Sequence, residues 1–124
     1  MEVKCATSFD ERFDPANVLN KDPRKFWVTT GLYPQELVID LGGAKPVNEV
    51  RFMTTGAKRI VIEGCKTTNA SEFKKIGESK ELGAKSGGMQ NDSVKVESAP
   101  YSLLKFVILE GHEEFTSVHN IELA

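Results

Sequence analysis

Apolar residues recur along this chain in short runs of period two, each closed by glycine, proline, asparagine or a charged turn. Runs this short, rich in valine, isoleucine, phenylalanine and threonine, suit pleated strands and are too brief for stable helices. In Val47-Asn48-Glu49-Val50-Arg51-Phe52-Met53 the alternation sets Val47, Glu49, Arg51 and Met53 on one face and Asn48, Val50 and Phe52 on the other. The same reading predicts strands at Val3–Thr7, Gln35–Leu41, Val47–Met53, Arg59–Cys65, Phe73–Gly77, Ser93–Glu97, Leu103–Glu110 and Thr116–Leu123. Leu103–Glu110 is the most apolar and is predicted to be central. Asp14–Leu19 reads as a single helical turn, capped by Asp14 with Pro15 at its first position. Leu82–Gly88, polar and rich in glycine, is predicted to be a mobile loop. About eight short strands with frequent turns predict an all-β chain, a single-domain antiparallel β-sandwich of the jelly-roll kind over residues 1–124.

A chain of 124 residues buries one real core but not two. Its 16 basic and 18 acidic residues are interspersed, so no basic stripe points to nucleic acid. The densest basic group, Lys21, Arg24 and Lys25, holds Asp22 inside it and reads as a solvated loop. Met1-Glu2-Val3-Lys4 lacks an apolar signal core, and no apolar run approaches the ~20 residues that cross a bilayer. Neither secretion nor membrane insertion is expected. Two cysteines, Cys5 and Cys65, are too few for a disulfide scaffold and are expected to be buried free thiols.

The residues offer little to catalysis. No Gly-x-Ser-x-Gly elbow occurs, and His112 and His119 are the only imidazoles. His119 falls within a strand, where packing or solvent exposure accounts for it, and His112 sits in a turn beside Glu113 and Glu114. Glu113-Glu114 and Asp10-Glu11 are neighbours in sequence, so in extended chain they point to opposite faces and cannot converge as an acid/base pair. The histidines and cysteines are not spaced as zinc ligands. Gly83-Ala84-Lys85-Ser86-Gly87-Gly88 lacks the approach of a phosphate loop.

The order Phe26-Trp27, a Gly31/Pro34 turn, then Leu37-Val38-Ile39-Asp40-Leu41 resembles the discoidin-like, galactose-binding β-sandwich superfamily. Within it, Phe26-Trp27-Val28-Thr29-Thr30-Gly31-Leu32-Tyr33-Pro34-Gln35-Glu36 looks like one intracellular branch, the intraflagellar transport protein 25 family. Ala6-Thr7-Ser8-Phe9-Asp10-Glu11-Arg12, Tyr101-Ser102-Leu103-Leu104-Lys105-Phe106-Val107 and Glu114-Phe115-Thr116-Ser117-Val118-His119-Asn120-Ile121 extend the likeness to both ends, while Lys66–Gly88 adds little. Secreted discoidin domains clip their ends with a disulfide. Here Cys5 lies near the start but no cysteine lies near the end, which favours a reducing compartment.

The resemblance implies a subunit of ciliary transport complex B, in the cytoplasm and the cilium or flagellum, that pairs with a Rab-like small GTPase and other complex B proteins. Candidate partner contacts are Thr29, Thr30, Leu32, Tyr33, Gln35 and Phe115. Leu32 and Tyr33 stand in a tight turn as interface anchors, or else Leu32 plugs the barrel end and Tyr33 lies flat on the surface. The superfamily also carries calcium in the loop before Phe-Trp, through an asparagine, an aspartate, a threonine and a C-terminal glutamate. Carried over, these positions are Asn17, Asn20, Lys25 and Glu122. One carboxylate and one hydroxyl are lost and a positive charge is gained, so calcium is expected to bind weakly or not at all, with Lys25 or an internal hydrogen bond in its place. The alternative function is an intracellular carbohydrate-binding module, which needs an exposed aromatic platform. Trp27 is the obvious aromatic, but beside Phe26 it reads better as core.

Overall fold

The computed structural model describes residues 1–22, 24–30, 32–67, 72–83 and 89–124. Its strands are β1 (Glu2–Ala6), β2 (Trp27–Val28), β3 (Gln35–Thr55), β4 (Ala57–Cys65), β5 (Lys74–Glu78), β6 (Gln90–Gly111) and β7 (Ser117–Leu123). Two 3₁₀ turns, Glu11–Phe13 and Pro15–Leu19, lie between β1 and β2. The second begins as expected: Asp14 Oδ1 accepts from Ala16 N at 2.8 Å, and Pro15 follows the cap. Among the described residues no helix is long and apolar enough to cross a membrane.

Every pairing is antiparallel, and the order β2-β7-β3-β6-β4-β5 places β3 and β6 at the centre, with β1 added to β3. Both central strands are long because each serves two layers. Gln35–Asp40 pairs with Leu103–Ile108, while Lys45–Thr54 pairs with Gln90–Tyr101. The register shifts between Asp40 and Lys45, where Gly42 and Gly43 take positive φ of 76° and 125° that other residues rarely adopt. One layer is thus β1, the first half of β3, the second half of β6, β4 and β5. The other is β2, β7, the second half of β3 and the first half of β6. Phe52 of one layer meets Phe106 of the other edge-on, with ring centroids 5.4 Å apart. Leu37, Ile39, Val50, Ile60, Ile62, Leu104, Ile108, Val118 and Ile121 fill the space between them.

The expected segments Gln35–Leu41 and Val47–Met53 are one strand, as are Ser93–Glu97 and Leu103–Glu110. The two-residue β2 is an addition. Val47 is buried, not outward with Glu49 and Arg51, because a second register shift between Val47 and Glu49 breaks the alternation. Cys65 is buried as expected, but Cys5 is exposed. It lies on the outermost strand, just past a register shift between Val3 and Cys5. Of the predicted mobile loop, residues 84–88 lie outside the described residues. Leu82 at its start is buried, and its N–H donates to Lys58 O at 2.7 Å. Gly31, part of the predicted turn, also lies outside the described residues.

Candidate protein-docking end

The chain enters β3 at Gln35, leaves its second half at Thr55, leaves β6 at Gly111 and enters β7 at Ser117. Strand register puts all four points at one end of the sandwich. Three loops meet there: residues 7–10, the turn before Gln35, and residues 111–116. Thr29 N donates to Thr116 O at 2.9 Å, and Thr116 N donates to Thr29 Oγ1 at 3.0 Å. Thr30 N donates to Ser8 Oγ at 3.0 Å. Gln35 is buried beneath all of this. Its Nε2 donates to Thr30 O at 3.0 Å and Leu32 O at 2.7 Å, and its Oε1 accepts from Thr7 Oγ1 at 2.6 Å.

On this bonded base sit three exposed apolar side chains. Leu32 is 90% exposed, Phe9 69% and Phe115 55%. Tyr33 is half-buried and lies flat. Its hydroxyl donates to Glu113 O at 3.0 Å and takes a hydrogen bond from Thr116 Oγ1 at 2.7 Å. A Cβ on Gly111 would overlap the Tyr33 hydroxyl, so only glycine lets the ring settle there. The sequence alternatives for the turn therefore divide. Tyr33 lies on the surface, while Leu32 stands free of the barrel. Thr30 is exposed, whereas Thr29 and Gln35 are buried supports whose side chains hold the loops. Phe9 was not singled out from the sequence, although Phe-Asp after a polar pair is an odd place for an aromatic residue.

The loop 17–26 is bonded internally. Asn17 Nδ2 donates to Phe26 O at 3.1 Å, and Asn20 Oδ1 accepts from Asp22 N at 2.9 Å. From β7, Asn120 reaches this loop, with Nδ2 3.0 Å from Asn20 O and 3.4 Å from Val18 O. Lys25 is exposed. Glu122 is exposed on a groove with Glu49, Arg51 and Asp92. Among the described residues, no three histidine, cysteine or carboxylate side chains group closely enough to hold a metal ion. This donor set does not fit calcium, which wants several anionic or free carbonyl oxygens.

Trp27 is fully buried, its Nε1 donating to Ser8 O at 2.9 Å, so it offers no face to a sugar. His119 Nε2 lies 2.8 Å from Ser117 Oγ, which also bonds Thr55 Oγ1, and the Phe26 ring packs on the imidazole at 4.7 Å. Ser117 and His119 are more than nine-tenths buried, so this pair serves packing. His112 is exposed, and its Nε2 donates to Leu82 O at 2.7 Å.

These features define a discoidin-like β-sandwich whose loop end presents apolar side chains on a hydrogen-bonded base. Solved structures agree on the fold. A Clostridium perfringens module in complex with GalNAc-β-1,3-galactose superposes with a TM-score of 0.80 at 20% identity, over 96% of this chain and 91% of that one. Chitosan-binding module 1 of a Paenibacillus chitosanase/glucanase gives 0.83 at 13% identity, over 97% and 92%. No family model matches. Sequence comparison goes further. The chain is 34% identical over 122 residues to intraflagellar transport protein 25 of Chlamydomonas reinhardtii, covering 98% of this chain and 63% of that protein. It is 30% identical over 120 residues to the Mus musculus homolog, covering 97% and 83%. The chain belongs to the intraflagellar transport protein 25 family. It spans just under two thirds of the algal relative's length.

Proposed function

We propose that this chain is a non-catalytic subunit of intraflagellar transport complex B that docks a Rab-like small GTPase through its three-loop end. It works in the cytoplasm and in the cilium or flagellum. The observation that carries this reading is Leu32, 90% exposed on the hydrogen-bonded base of the loop end, whose other two loops each carry an exposed aromatic residue, Phe9 and Phe115. A large apolar side chain held out in water on a bonded frame is what a partner surface buries. Family membership supplies the transport context, and any nucleotide chemistry belongs to the GTPase. The carbohydrate-binding alternative draws on the fold alone, and burial of Trp27 removes the platform it needs.

Co-expression with the Rab-like transport GTPase of the same organism, followed by size exclusion, tests the proposal. A stoichiometric complex is expected. Leu32→Arg should abolish co-elution without changing the melting temperature, and Leu32→Ala should weaken binding roughly tenfold or more, as truncating an interface anchor does. Separate elution of the unaltered chain, with and without nucleotide, would sink the reading. Specific signals on a glycan array would favour the carbohydrate-binding alternative.

A further inference from the structure

Two main-chain oxygens of the loop 17–26, those of Val18 and Asn20, converge on the Asn120 side chain, at 3.4 and 3.0 Å. Carbonyl oxygens only accept, so the amide nitrogen must face them with its two protons. A neutral donor thus occupies a point where carbonyl oxygens gather, which is the environment a hard cation would otherwise seek. Asn120 is held there by β7, in register opposite Met53 and two residues beyond the pairing of Val118 with Trp27. Asn17 Nδ2 ties the far side of the loop to Phe26 O, and Asn20 Oδ1 is taken by Asp22 N. The loop also carries three basic residues against the single carboxylate of Asp22, a balance that repels a cation.

We propose that the Asn120 amide holds this loop closed in place of a divalent cation, so that fold and docking end are independent of calcium. The loop runs straight into Trp27–Val28 and on to Thr29 and Thr30. Whatever closes it therefore fixes the base on which Leu32 stands. The inference concerns the loop's closure and holds whichever partner docks.

Thermal melting of the full chain in chelator and in millimolar calcium tests it, with circular dichroism as the readout. The two melting temperatures should coincide. A cation in roughly hundredfold excess over its Kd would raise the midpoint of a domain this size by several degrees, and such a rise would overturn the proposal. Asn120→Leu should melt below the unaltered chain in both buffers, since both carbonyls lose their donor. Asn120→Asp should melt low in chelator and recover in calcium, because a carboxylate facing two carbonyls needs a cation between them. If Asn120→Leu melts with the unaltered chain, the amide does not hold the loop and the proposal fails. Should that variant not fold, calorimetric titration of the unaltered chain with calcium decides: no heat of binding is expected, and micromolar affinity refutes.

Discussion

Gln35 makes hydrogen bonds to the loops on both sides of it through a single side chain that is 6% exposed. Its amide bonds the Thr30 and Leu32 carbonyls and the Thr7 and Ser8 hydroxyls at once. Gln35→Leu keeps much of the volume but removes these four hydrogen bonds, among them the one that ties the Leu32 carbonyl. That should cost about 2 kcal/mol in urea denaturation. Partner affinity should fall as well, although Gln35 itself touches no solvent to speak of, because Leu32 loses the tether of its carbonyl. Unchanged affinity would show that the turn holds its shape without Gln35. In the sequence this residue reads as the polar start of an apolar strand and as a candidate partner contact, not as a buried tether. Its partners lie up to 28 positions away, and residue type carries no trace of them. Trp27 is the opposite case, since an aromatic pair next to a strand reads directly as core.

Elements were legible where periodicity is local and illegible where pairing across the sandwich decides. Each half of β3 and β6 alternates well enough to be seen, yet their fusion into strands serving two layers depends on partners far along the chain. The two residues of β2 carry no periodic signal and exist because Trp27 and Val28 pair with Val118 and Ser117. Register shifts turned Val47 inward and Cys5 outward, and a bulge cannot be read from alternation because it breaks that alternation. The end of β6 shows how an element shapes the proposed docking end. Gly111 leaves room for the Tyr33 ring, and Gly111→Ala would force that ring upward, off Glu113 O and Thr116 Oγ1. Stability should drop by about 1–2 kcal/mol, in the range for forcing an extra methyl into a packed site. GTPase binding should weaken roughly tenfold if Tyr33 helps form the surface around Leu32, a change titration calorimetry would resolve. Equal affinity would place Tyr33 outside the interface.

Across the whole molecule, the proposed docking end and the opposite end are held by different contacts. The first half of β3 runs from Gln35 away from the docking end, and the second half returns from Lys45, which pairs with Tyr101. Tyr101 therefore lies at the far end, where β6 passes from one layer to the other. It is buried, its hydroxyl donating to Glu97 O at 2.6 Å, and burial followed by the nearby Glu97 carboxylate pushes its pKa above the ordinary tyrosine value. Because the folded pKa is the raised one, this tyrosine's stabilising share is intact below the unfolded value of about 10 and is lost as pH climbs through the folded value. Stability of the unaltered chain should accordingly fall above about pH 10. Tyr101→Phe loses one hydrogen bond and should cost about 1 kcal/mol at neutral pH. It should also flatten the alkaline fall, since no phenolate can then form against the Glu97 carbonyl. Denaturant titrations across that pH range would show both effects. GTPase affinity should not change, because the lesion sits at the opposite end from Leu32. An affinity loss matching that of Gln35→Leu would mean that the ends are coupled through β3 and that the frame, not the loop end alone, determines docking.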